Sequence, residues 1–210
     1  MNKLIVFAFF FVMLGSCVKA QHSGDNQPTK LPTLKAGEAV ATFAAGCFWA
    51  TESEFEALKG VRIAVTGYSG GKTKNPEYEE VGSGETGHAE SVQIYYDPKV
   101  ISYDELLDGF FSGHDPTTLN RQGPDAGTQY RSAIFYRSPE EKTAIEAAML
   151  RAIGHYKNKI VTQIAPFSAF YPAENYHQNY CNLHPDQPYV AQVSIPKIEK
   201  FKKAMVGKLK

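Results

Sequence analysis

The sequence predicts an α/β fold of the α+β type: a single two-layer domain with a mixed sheet on a split βαβ, ferredoxin-like core. Three observations predict it. The chain has 210 residues, 43% of them hydrophobic and 12% aromatic, enough for one sizeable core. Lys and Arg number 22, as do Asp and Glu, so the net charge is zero. That balance excludes a charge-driven disordered chain and leaves no basic footprint for nucleic acid. Beyond the N-terminus, segments of period two and period 3.6 alternate in the order β-α-β-β-α-β-α-β, as a split βαβ core requires.

The N-terminus stands apart. Lys3 precedes the uncharged apolar run Leu4–Leu14, which at 11 residues is too short to span a bilayer and reads as a signal-peptide core. Leu14-Gly15-Ser16-Cys17 resembles a bacterial lipobox, which makes residues 1–16 a signal peptide and Cys17 the lipidated first residue. Cleavage after Ala20 is the alternative. Residues 17–37, polar and rich in Gly and Pro, read as a tether, and the folded domain is expected over 38–210. The protein is therefore expected outside the cytosol, in a bacterial envelope or periplasm and held to the membrane through Cys17. Three cysteines are too few for a disulfide scaffold.

Each element then has its own signal. Ala39–Ala45 is a small, apolar strand candidate running into Gly46-Cys47. Phe48, Thr51, Phe55 and Leu58 share a helical face that Gly60 ends. Val61–Thr66 is β-branched and reads as a strand; Gly67–Gly87 is a long Gly-rich loop, and such loops are usually functional. Ser91–Asp97 alternates as a strand. Ser102 and Glu105 form a capping box for a helix through Phe111. Asp115–Thr128 is a second loop, Arg131–Arg137 a strand, and Ser138-Pro139 opens a helix reaching about Tyr156. Ile160–Ile164 is read as a strand, Ala173–Leu183 as a helix and Pro196–Lys208 as the last helix.

Three motifs resemble chemistry. Gly82–Gly87 matches the dinucleotide fingerprint, but a strand pattern follows it where the pyrophosphate needs a helix N-terminus. Gly67-Tyr68-Ser69-Gly70-Gly71 matches a nucleophile elbow, so a serine hydrolase using Ser69 is a rival, although no helix opens after it. His177, Cys181 and His184 have the spacing of metal ligands on a helix, with Cys47 as a possible fourth; a zinc-binding envelope lipoprotein is the third reading, and no metal is the expectation.

The stronger signal is Gly46-Cys47-Phe48-Trp49, which sets a cysteine where a strand gives way to a helix. The helix dipole there is expected to lower the thiol pKa and raise the thiolate fraction. An inert buried cysteine is the bland alternative. Glu90, Val92, Ile94 and Tyr96 share one strand face, so Glu90 at the end of an apolar face is expected to have a raised pKa, as a general acid needs. Tyr78 and Tyr130 offer phenolic donors, and Asp125 is either polar-site or turn residue.

With Gly87-His88-Ala89-Glu90 and Gly127-Thr128-Gln129-Tyr130-Arg131-Ser132, this constellation closely resembles the A-type peptide methionine sulfoxide reductases. Asn75-Pro76-Glu77-Tyr78, Tyr96-Asp97-Pro98 and Tyr176-His177-Gln178-Asn179-Tyr180 extend the resemblance over about Phe43–His184. It implies a split βαβ core, no cofactor, and reduction of methionine S-sulfoxide, free or in proteins. It also implies Cys47 as nucleophile, Phe48 and Trp49 as the wall for the methyl group, and Tyr78, Glu90, Asp125 and Tyr130 as the polar part of the site. Cys47 would become a sulfenic acid that a thioredoxin-like thiol reduces. A monomer without a nucleic-acid partner is expected.

One feature departs from the pattern. Many relatives carry resolving cysteines in a C-terminal tail, and Pro185–Lys210 has none. Cys181 is a candidate resolving thiol or a small buried hydrophobe; the second reading, with an external thiol as reductant, is preferred.

Overall fold

The computed structural model describes residues 26–210. The expected signal peptide, Cys17 and the alternative cleavage site lie outside the described residues. Among those that are described, no helix is long and apolar enough to cross a membrane.

Strand β1 (Ala39–Ala45) is built from small side chains except Phe43, and so can be flanked and covered closely on both sides. It leads through α1 (Phe48–Glu56) into β2 (Val61–Ser69). Strand β3 (Ala89–Tyr96) lies between β1 and β2, antiparallel to both, with Phe43 opposite Val92 and Thr66 opposite Val92 from the other side. Thus β1 and β2 are parallel with one strand inserted, the split βαβ arrangement. After α3 (Tyr103–Gly113), β6 (Ser132–Tyr136) adds antiparallel to β1 and completes the ferredoxin-like core. Helix α4 (Pro139–Ile153) then leads to β7 (Gln163–Pro166), parallel to β6. Strand β8 (Phe170–Pro172) closes the other edge, giving the order β7-β6-β1-β3-β2-β8.

Helices α1, α3 and the C-terminal α6 (Ile195–Ala204) pack on one face. Phe43 meets Phe55 and Phe110 there at ring-centroid distances of 5.5 and 5.3 Å, and Phe55 meets Phe201. These fully buried aromatics dominate the core, because large apolar surfaces carry most of the burial energy.

Several expectations are corrected. The loop Gly67–Gly87 holds the end of β2 and a short helix, α2 (Tyr78–Gly82), started by a capping box between Glu77 and Glu80. The loop Asp115–Thr128 contains a two-stranded hairpin, β4 (Arg121–Gln122) with β5 (Asp125–Ala126). The strand expected at Ile160–Ile164 begins three residues later, because the Val161 N–H donates to the Pro116 carbonyl, outside the sheet.

Ala173–Leu183 is not one helix: a 3-10 turn over Asn175–His177 is separated from α5 (Tyr180–Leu183) by Asn179, which is left-handed at φ 56°. The Gln178 amide bonds the backbone of Thr66, and the Asn179 N–H donates to Glu52, so this stretch is tied to β2 and α1 instead of to itself. A π-helical turn over Val190–Ser194 precedes α6. Pro196 lacks an N–H and crowds the carbonyl four residues back, which favours a wider turn before it. Where the composition predicts a tether through residue 37, the Gln27 carbonyl already accepts from Asn175, Thr29 donates to Ala173, and Leu31 packs with Val65, Tyr95 and Phe170.

Candidate active site

Cys47 sits at the N-terminus of α1, where β1 ends. The turn before it requires Gly46: its φ is +87°, and a Cβ there would lie 2.6 Å from the Gln122 side chain. The first amides of α1 have no partners within the helix and are free to point at other groups. The Phe48 N–H donates to Glu90 Oε2 at 3.0 Å, and the Trp49 N–H bonds the Cys47 sulfur. One helix end therefore serves a carboxyl group and a thiol together.

Glu90, 3% exposed on β3, is pushed up to about 8 by burial and by the Asp125 charge, against the opposing pull of the Phe48 N–H and Lys197. It is protonated near neutral pH, as the strand face led us to expect. The Cys47 thiol is pushed up as well, by burial first and then by the Glu90 carboxylate. This corrects the expected lowering: the helix end is shared with Glu90, and burial outweighs it. Protonation of Glu90 removes its contribution, so the proton on Glu90 and the thiolate on Cys47 are mutually favourable.

Around these two groups lies a cavity of about 290 Å³. Phe48 and Trp49 supply its apolar wall, and Tyr78, Glu90 and Tyr130 its polar one. Burial and the Glu90 charge push both phenols up, so they remain neutral donors. The Trp49 ring is fixed twice: Nε1–H donates to His177 Nδ1 at 3.0 Å, and the indole stacks on Tyr180 at 3.9 Å. Tyr78 is placed by Glu174, whose two oxygens accept from the Tyr78 N–H and the Tyr68 hydroxyl, both at 2.9 Å. Asp125 does not line this cavity; it accepts a hydrogen bond from Tyr189, which also bonds Cys47. The geometry offers a thiol, a proton donor and two neutral hydroxyls around one small volume beside an aromatic wall. That combination can attack an electrophilic centre while an oxygen on it is held and protonated.

Residues 39–210 match the family described as Peptide methionine sulfoxide reductase. A relative from Leptospira borgpetersenii, Peptide methionine sulfoxide reductase MsrA, is 52% identical over 163 residues, 78% of this chain and 93% of the relative. The chain belongs to the A-type peptide methionine sulfoxide reductases. Among solved structures, reduced Mxr1 from Saccharomyces cerevisiae is similar at a TM-score of 0.71 and 38% identity, covering 74% of this chain and 91% of that one. The structure of Mxr1 in complex with Trx2 is similar at 0.52 and 28% identity, covering 72% and 91%.

In this reductase several residues escape sequence reasoning. Tyr189 and Gln187 reach the cavity from the C-terminal segment. Lys197 donates to the Ala45 carbonyl at 2.9 Å and to Thr51 Oγ1 at 3.2 Å, and pairs with buried Glu54 at 3.7 Å. No local motif marks them; His177 and Tyr180 do lie in a motif, but their stacking role has no sequence signature. Ser69 is buried at the end of β2, its hydroxyl donates to the Ala169 carbonyl at 2.7 Å, and the next helix begins only at Tyr78, so Ser69 does not have the strand-to-helix turn of an elbow nucleophile. His177, Cys181 and His184 do not share a helical face, and among the described residues no group of three or more His, Cys, Asp or Glu could hold a metal ion. Cys181, 4% exposed, packs with Ala50, Val190 and Ile198. Cys47 and Cys181 are both free thiols.

Proposed function

We propose that this methionine sulfoxide reductase acts on the S epimer, free or in proteins, through a sulfenic acid on Cys47. The observation that carries this reading is the sharing of the α1 N-terminus by Cys47 and Glu90 inside one aromatic-walled cavity. The sulfoxide methyl lies against Phe48 and Trp49, and its oxygen accepts from Tyr78 and Tyr130. Cys47, as the thiolate, attacks the sulfoxide sulfur while Glu90 gives its proton to the oxygen. The oxygen passes to Cys47 and methionine leaves, so one sulfoxide and one thiol become one thioether and one sulfenic acid. Asp125 and Tyr189 orient the Cys47 side of the site.

A methyl wall and an oxygen site on different sides of the attacking sulfur accept one hand of a chiral sulfoxide, in keeping with one enzyme class for each epimer. An external thioredoxin-like thiol returns Cys47 to the reduced state, a reading that Mxr1 in complex with Trx2 supports. Burial of Cys181 in an apolar cluster supports packing over resolution. Lys3, the apolar run after it and the lipobox at Cys17 support export, lipid anchoring and repair of oxidised envelope proteins. The test is an assay on separated epimers with dithiothreitol: S-sulfoxide is consumed, R-sulfoxide is not, and Cys47→Ser consumes neither. Turnover of the R epimer alone, or full activity in Cys47→Ser, would overturn the reading.

A further inference from the structure

Cys47 borders two cavities. One is the pocket of Glu90, Tyr78 and Tyr130. The other, about 320 Å³, lies between the β4–β5 hairpin and the segment leading into α6, with Gln122, Asp125, Val193, Ser194, Lys197 and Lys200 in its walls. The two have only Cys47 and Tyr189 in common, so the Cys47 side chain stands in the partition between them. We propose that this second cavity is the port through which the reducing thiol of another molecule reaches Cys47. The proposal rests on the sulfenic acid reading above.

The chemistry asks for such a port. After methionine leaves, the oxygen on Cys47 points to the phenols and Glu90, which held it in the substrate. A thiolate displaces that oxygen along the line of the breaking S–O bond, and therefore approaches from the far side of the sulfur. On the pocket side the sulfur is shielded by its own oxygen, whereas away from that pocket Cys47 borders the second cavity. Among the described residues no cysteine other than Cys47 lines this cavity, and Cys181 borders a different one with Ser53 and Ile198, so the thiol assigned to the port is that of another molecule. Lys197, fixed by Ala45 and Thr51, puts a positive charge in the wall that the incoming thiolate passes.

In the step itself the thiolate forms an S–S bond to Cys47 and the S–O bond breaks. The oxygen leaves as water, taking a proton from Glu90, which has been reprotonated from solvent. A second thiol of the reductant then attacks the incoming sulfur, forms the reductant disulfide and releases Cys47 as thiolate. Two thiols are oxidised, one sulfenic acid is reduced and one water forms.

The test separates the two half-reactions. Enzyme is first turned over once on methionine S-sulfoxide without reductant, and the methionine formed is measured. Dithiothreitol or a thioredoxin is then added and loss of the sulfenic acid is followed. Val193→Trp and Lys200→Trp fill the port without touching the substrate pocket. The expected result is an unchanged methionine burst with sulfenic acid reduction slowed by about tenfold or more, since access governs thiol exchange rates. Slowing with both reductants assigns the port to small and protein thiols alike; slowing with one assigns it to that source. Retention of the burst shows that each variant is folded, and exposed Lys200 provides a test should Val193→Trp not fold. Reduction at the wild-type rate in the folded variants, or equal slowing of both half-reactions, would overturn the port. Absence of a burst in wild type would instead overturn the reductase mechanism.

Discussion

Glu90 illustrates how little of a residue's role lies in its own chemistry. Burial holds its proton near neutral pH, and the Phe48 amide fixes one of its oxygens at the end of α1. Glu90→Gln keeps shape and hydrogen bonding but has no proton to give. General acid catalysis contributes about 10²–10⁴-fold, so the methionine burst should slow by about that factor. The loss should shrink at low pH, where solvent supplies the proton. Rapid-quench measurement of methionine checks it, and an unchanged burst rate would make Glu90 a structural carboxyl only. Cys47 could be singled out from the change of period after Gly46 and Glu90 from its place at the end of a strand face, whereas Tyr78 and Tyr130 were picked out among the tyrosines only by the family resemblance. Tyr189 and Lys197 were not, because their contacts with Cys47, Ala45 and Thr51 join segments about 140–150 positions apart in the chain.

Among the elements, the β1–α1 turn places Cys47, and Gly46 makes that turn possible. Gly46→Ala should cost about 1–2 kcal/mol for a left-handed non-glycine residue. Contact of the new Cβ with Gln122 adds to that and displaces either the hairpin or Cys47. Urea unfolding together with the methionine burst would register both effects; an unaltered midpoint and burst would show that the turn tolerates a side chain. The same local logic explains why β1 could be read from its apolar run, α1 from periodicity and α3 from its capping box, while Ala173–Leu183 could not. Helical spacing of apolar residues does not reveal that Gln178 will bond Thr66, or that Asn179 will turn left-handed to reach Glu52. Strands β7 and β8, four and three residues long, are too short for alternation to register.

For the whole molecule, α1 and β3 bring buried carboxyls into the fold. Glu52, Glu54 and Glu90 are pushed up to about 8, 7 and 8, with burial the first cause in each case. An unfolded glutamate titrates near about 4.3, so above that value the folded protein keeps protons that the unfolded chain has released. The stability these carboxyls contribute therefore falls as pH rises, and levels off above the folded values. His114 opposes this at lower pH: burial pushes it down to about 3, so it adds stability as pH rises towards about 6.5. Between about 6.5 and 8 the carboxyls dominate, and the Tm should drop across that window, less steeply in Glu52→Gln. A flat or rising Tm there would contradict the assignment of these protons.

The docking of residues 27–31 on β2 and β8 was hidden for a related reason, since Pro and polar residues are as common in docked segments as in tethers. The central claim is that Cys47 alone receives the oxygen, and intact mass after one turnover without reductant tests it most directly. One equivalent of methionine S-sulfoxide should yield one of methionine and add a single oxygen to the protein, trapped by dimedone on Cys47. A mass lower by two hydrogens, absent in Cys181→Ser, would show a Cys47–Cys181 disulfide instead, and an unchanged mass beside formed methionine would contradict the mechanism.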